Sequence, residues 1–324
     1  MCLGGPDQEP SKPDADGAKP EPPNKTVWTA GWSPDGRWIA TGGVDNTVRI
    51  IDVHTFKEHK SFRFGSWVHA VKWHPEGRML AVATLENYIL LVDTESGGIV
   101  PLLKKGGARA LGWNADGNLL AVGDLDGDIQ IWNREGKSVR SVERSYSADQ
   151  AGTAYLALDW HPAENKFVAC NFQISLFDAE GTELKTMKHR NGAAIVLCVD
   201  WHPSGKFFVI GDYGHNWEGE NVPSLLHFWS AEGEYLKAVT GSRAEYRNIA
   251  WNRSGTRLAT ASDRMRIRST DGSLIATGEG GGVGKLWGID WSPAGDRIVT
   301  TSQDAKTTLW NERGTLLRKN SFMP

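Results

Sequence analysis

Trp201-His202-Pro203-Ser204-Gly205, followed at once by Phe207-Phe208-Val209-Ile210-Gly211, is the stretch on which the fold turns. Proline presets one backbone angle and glycine supplies a positive one, so the first five residues read as a tight turn. The run after it is apolar at consecutive positions, too short for a helix, and bounded by glycine. That is the mark of a strand buried on both faces. The same grammar recurs at Trp32-Ser-Pro-Asp-Gly36, Trp73-His-Pro-Glu-Gly77, Trp113-Asn-Ala-Asp-Gly117, Trp160-His-Pro-Ala-Glu164, Trp251-Asn-Arg-Ser-Gly255 and Trp291-Ser-Pro-Ala-Gly295. The seven indoles are spaced 41, 40, 47, 41, 50 and 40 residues apart. Each interval is about the length of one four-stranded blade, and a strand apolar on both sides needs a neighbouring sheet on each.

Working outward, a third strand follows in each unit, as in Val48-Arg-Ile-Ile51, Ile129-Gln-Ile-Trp132 and Leu226-His-Phe-Trp229. A glycine turn comes next (Gly97, Gly136, Gly181, Gly233, Gly272, Gly314), then a more polar strand suited to a solvent-facing edge. The expectation is an all-β, seven-bladed β-propeller with four antiparallel strands per blade over residues 26–320, leaving 321–324 as a short tail. Gly314–Asn320 supplies the last blade's own fourth strand, so blades 1 and 7 are expected to close by packing rather than by a swapped strand.

These repeats resemble those of the WD-repeat β-propeller family. Ile51-Asp52, Val92-Asp93, Phe177-Asp178 and Trp132-Asn133 look like its eponymous dipeptide, and Asp45, Asp126 and Asp304 occupy the place of its structural aspartate, six residues earlier. The resemblance covers about residues 26–319. The family's Gly-His dipeptide is largely absent, so its hydrogen-bonded tetrad is expected to be incomplete in most blades. The resemblance implies a fold whose loops and channel rim carry the function.

Residues 1–25 hold six of the 14 prolines, eight charges and no aromatic residue, a composition expected to stay disordered. Cys2, followed by a polar Pro-rich spacer, is similar to the lipid-bearing cysteine of a bacterial lipoprotein, so a lipid anchor and an extracytoplasmic site are the alternative to a cytoplasmic one. The net charge of −3 argues against a phosphate-tracking nucleic-acid binder, and no apolar run approaches the ~18 residues of a membrane-spanning helix. Cys2, Cys170 and Cys198 have neither disulfide-framework nor zinc spacing.

Several motifs imitate chemistry. Gly278-Glu-Gly-Gly-Gly-Val-Gly-Lys285 ends on Leu286, where a phosphate loop needs Ser or Thr. Asp124-Leu-Asp-Gly-Asp128 carries Ile129 where a calcium loop needs glycine, and reads as a hairpin turn. His74, His161 and His202 recur at one position of the repeat, as structural residues do. No cofactor or metal ligand set is expected.

The longest intervals locate excursions near Ser145–Thr153 and in Asp212–Ser224, both expected on one face. The second carries Tyr213, His215 and Trp217, residue types that anchor interfaces. Four residues before the marker indoles lie Trp28, His69, Arg109, Leu156, Leu197, Arg247 and Trp287; two further back lie Trp67 and Lys285 among others. In the family that the chain resembles, such positions ring the channel mouth and contact partners. The resulting candidate site is Trp28, Trp67, His69, Arg109, Tyr213, His215, Trp217, Arg247, Lys285 and Trp287. The expected function is a non-catalytic scaffold binding a protein or peptide there. The alternative is a small-molecule or hydrolytic site at the channel mouth, which a histidine with two converging carboxylates would favour.

Overall fold

The marker turns close as their composition requires. Gly36, Gly77, Gly117, Gly205, Gly255 and Gly295 take φ between 70° and 84°, where a side chain is strained. Three of these turns are also keyed to the preceding blade. Nε2 of His74, His161 and His202 lies 2.8–2.9 Å from the carbonyl oxygens of Gly117, Gly205 and Gly255. A Cβ at Gly205 would stand 2.5 Å from the His161 ring, so glycine is needed there for space as well as for φ. The repeated histidines are therefore inter-blade ties.

The computed structural model describes residues 25–323 except 87–88, 104–106, 143–153, 190–194, 215–222, 243 and 280–284. The described residues form seven four-stranded antiparallel sheets, each built from four consecutive strands. Strands are numbered along the chain, blade 1 being β1 (Val27–Trp32), β2 (Trp38–Gly43), β3 (Thr47–Asp52) and β4 (Lys57–Arg63). The innermost strands of blades 2 to 7 are β5 (Val68–Trp73), β9 (Ala108–Trp113), β13 (Ala157–Trp160), β17 (Val196–Trp201), β21 (Asn248–Trp251) and β25 (Leu286–Trp291). Each touches the next and β25 touches β1, so they surround a central axis.

The doubly buried strands do what their sequences demand. Phe208 and Ile210 pack with Val168, Ile174 and Leu176 of blade 4, while Val209, between them, packs with Ile249 and Leu258 of blade 6. Alternation along one strand thus supplies two inter-blade cores. One such apolar cluster lies between every adjacent pair of blades. Burying a side chain such as Phe208 contributes about 1.5–3 kcal/mol. The outer strands keep apolar residues in water, among them Leu184 and Leu236.

Blades 7 and 1 meet without strand exchange among the described residues. Asp290 Oδ2 accepts the Trp32 N–H at 2.7 Å, and Arg318 donates to the His54 carbonyl at 2.8 Å. The last strand, β28 (Leu316–Ser321), delivers Phe322 to the seam, its ring centroid 5.9 Å from that of Phe56.

One assignment changes in blade 3. Asp126 was expected as the structural aspartate, but Asp124 organises the hairpin. Its carboxylate accepts the N–H groups of Asp126 and Asp128 and the amide of Gln130. The reason is geometric: Asp124 ends a buried strand and faces the turn, whereas Asp126 lies in the turn itself.

Candidate functional site at the channel mouth

Five of the seven residues four before the marker indoles sit at a repeated irregularity; β13 and β21 have none, and Leu156 and Arg247 stand just ahead of those strands. In β1, Val27 pairs with Gly43 and Thr29 with Gly42, so Trp28 has no partner across the ladder. His69 is skipped in the same way between Val68 and Ala70, Arg109 between Ala108 and Ala110, and Leu197 between Val196 and Cys198. In β25 the skip spans Trp287 and Gly288. A β-bulge re-aims the extra side chain out of the ladder.

The outcome is a continuous aromatic and cationic cluster across blades 1, 2, 3, 6 and 7. The Trp28 ring lies 4.1 Å from His69, 5.3 Å from Trp67 in edge-on contact, and 6.2 Å from Trp287. The Arg247 guanidinium carbon sits 3.5 Å from the Trp287 ring centroid, a cation–π stack. Glu245, buried, accepts from Arg247 and from Lys285, the latter at 2.9 Å. Trp67 stays 41% exposed, so the cluster opens to solvent.

The electrostatics are unequal. Arg247 and Lys285 share Glu245, but Arg109 has no hydrogen bond or ion pair among the described residues. Burial, with the Arg247 charge, pushes the Arg109 guanidinium down to about 10. His69 is held well below the ordinary imidazole range by burial and by Arg109, so it is neutral at pH 7. Burial works to raise the Glu245 carboxyl, yet Lys285 and Arg247 hold it below its usual range. The mouth therefore carries one histidine facing a cation and one carboxylate already engaged by two cations.

The other end of the channel has the opposite sign. The residues just before the marker indoles include Asp159, Asp200 and Asp290, with Lys72 acting on all three. Each carboxylate accepts the indole residue's N–H in the next blade: Asp159 from Trp201, Asp200 from Trp251 and Asp290 from Trp32, at 2.6–2.7 Å. Burial raises all three, Asp290 to about 6. Sequence reasoning missed this group. The signal was present as aspartate at one repeat position in three copies, but only cross-channel geometry unites them.

A second cluster lies away from the mouth. His189, Asp212 and His227 are buried, with potential ligand atoms all within 4.8 Å of one another. His227 Nε2 is 3.1 Å from Asp212 Oδ2, and His189 Nε2 is 3.7 Å from the same oxygen. A divalent cation would find two imidazoles and a carboxylate here, although the His227–Asp212 distance is also that of a hydrogen bond between two strands of blade 5. Burial lowers His189 to about 4. An imidazole that is neutral when folded and protonated when unfolded withdraws stability as pH falls from about 6.5 towards 4. The buried Asp290 acts with opposite sign over much of that range, so the effect is best read as a difference. His189→Gln is expected to gain about 2 kcal/mol on the parent between pH 7.5 and 5, measured by urea unfolding at both pH values.

Of the expected site residues, Trp28, Trp67, His69, Arg109, Arg247, Lys285 and Trp287 come together. Tyr213 is half-buried, its N–H bonded to the Ile195 carbonyl. His215 and Trp217, and most of both excursions, lie outside the described residues. The same holds for Cys2 and for residues 280–284 of the glycine-rich stretch.

Comparison with known proteins agrees with this architecture. Residues 21–52, 104–133, 181–217 and 272–311 match the model of the WD domain, G-beta repeat. Residues 58–106 match that of the anaphase-promoting complex subunit 4 WD40 domain. The echinoderm microtubule-associated protein-like 3 of Mus musculus is 26% identical over 163 residues, 48% of this chain and 17% of that protein. The chain thus aligns with less than a fifth of the mouse protein's length. Matches that cover more than half of the chain, on seven four-stranded blades, establish that it belongs to the WD-repeat β-propeller family.

Proposed function

We propose that this propeller is a non-catalytic scaffold that captures a protein or peptide over the Trp28–Trp67–Trp287 mouth. WD-repeat propellers generally act as protein-interaction scaffolds and are typically non-catalytic. The observation that carries the choice of face is Trp67, exposed yet packed edge-on against Trp28 beside two arginines. Tryptophan and arginine are among the residues most enriched in binding hot spots, and an exposed indole resting on a half-buried one has apolar area to gain on contact.

The test compares the parent with Trp28→Ala/Trp67→Ala and with an outer-strand control, Leu184→Ser/Leu236→Ser, as immobilised baits with quantified captured proteins. The mouth variant is expected to lose at least ten-fold in its specific captures, with a melting temperature within a few degrees of the parent. The control is expected to retain them. Equal capture by parent and mouth variant would refute this choice of face.

A further inference from the structure

Among the described residues, the partly buried arginines are mostly answered by a nearby acid or carbonyl. Arg49 meets Asp45 and Glu58, Arg266 meets Asp263, Arg134 meets Glu76, and Arg268 donates to the Gly272 carbonyl and the Tyr246 hydroxyl. Arg109 is different. It stands half-buried at the mouth, within electrostatic reach of a second guanidinium, and no acid among the described residues faces it. A cation partly withdrawn from water with no acid beside it among the described residues is held at a cost that an incoming anion would relieve.

The atoms around it ask for the same complement. Arg247 spends one terminal nitrogen on Glu245, but its Nε is buried without a hydrogen-bond partner among the described residues. Nε2 of His69 and Nε1 of Trp287 are in the same condition. Unanswered indole N–H groups recur elsewhere, as at Trp251 and Trp291, so Trp287 adds little. Arg247 Nε–H and the Arg109 guanidinium carry the argument, with His69 Nε2 able to join them as a donor in the tautomer that protonates it, because buried polar groups without partners are rare.

We propose that the mouth reads a carboxylate: an Asp or Glu side chain of a partner peptide enters between Arg109 and Arg247, its flanking residues lying on Trp28, Trp67 and Trp287. This rests on the scaffold reading above and names what that face recognises. Glu245 is shared by Arg247 and Lys285, so Arg109 is the one cation of the three with no carboxylate beside it among the described residues, and a single incoming carboxylate would supply one. The three indoles lie on blades 7, 1 and 2, the arc that joins Arg247 of blade 6 to Arg109 of blade 3, and offer an apolar floor to residues on either side of an internal acid. A guanidinium fork and a carboxylate match in shape as well as charge.

The experiment uses the full chain and pools of acetylated, amidated heptapeptides, randomised except for a central Glu, Gln or phosphoserine. A fourth pool carries a free C-terminus and no fixed acid. Binding is read by fluorescence polarisation. The Glu pool is expected to bind at least ten-fold more tightly than the Gln pool, and Arg109→Met to abolish that difference while leaving the Gln pool unchanged. Because the substitution removes an uncompensated cation, Arg109→Met is also expected to melt at or above the parent temperature, which separates lost recognition from lost folding. Equal binding of the Glu and Gln pools would overturn the proposal, as would preference for the phosphoserine or free C-terminus pool. If the pools fail while capture from cells still depends on Trp28 and Trp67, the carboxylate reading falls and the scaffold reading stands. If capture ignores the indoles, the scaffold reading falls.

Discussion

Trp201→Ala lowers the stability of the folded protein by about 3–5 kcal/mol. The indole is 4% exposed and belongs to the core between blades 4 and 5. The His161 ring stands 4.7 Å away and the Phe208 ring 4.9 Å away, while its backbone N–H is held by Asp159 of the previous blade. Truncation therefore removes apolar area and leaves a cavity that two rigid sheets cannot collapse to fill. The urea midpoint reports the change, and Trp67→Ala supplies the contrast, since an indole at the open mouth leaves no cavity. Similar midpoints for the two variants would contradict the assignment of one indole to scaffold and the other to surface.

Gly288→Ala opens the seam between blades 7 and 1. A Cβ on Gly288 would lie 2.7 Å from the Ala30 amide nitrogen, 2.9 Å from the Thr29 carbonyl carbon and 2.5 Å from Thr301 Oγ1. Two of these are backbone atoms of β1, so no rotamer change can relieve the contact. The strands must part. Overpacking of this kind costs about 1–3 kcal/mol, and here the upper part of that range is expected. Since no strand is exchanged across the seam among the described residues, the separation should raise amide hydrogen exchange in β1 and β25 before it does so in blades 3 to 5. Uniform exchange across all blades would show that closure does not depend on this approach of backbones.

Much of this was legible beforehand because a propeller repeats its constraints. The marker indole, the Pro/Gly turn and the doubly apolar run each recur for a local reason that one copy already displays. Blade number, strand order and the inter-blade role of Phe208, Val209 and Ile210 followed from period and alternation. Arg109 and Arg247 were visible as candidates from their repeat position, but their inequality was not. Glu245, two residues before Arg247, settles one arginine and leaves the other unanswered. The assignment of Asp126 failed because spacing alone cannot say which of two nearby aspartates ends the strand and faces the turn.

By itself, then, the order of residues determined the blade and its copy number, since turns and alternating burial are set by neighbours a few positions apart. Only the closed ring decided which side chains share a space. Asp159, Asp200, Asp290 and Lys72 come from four different blades, as do the three mouth indoles with Arg109 and Arg247 from five. Their proximity is a consequence of curvature accumulated over all seven sheets, and curvature is not a property of any one repeat.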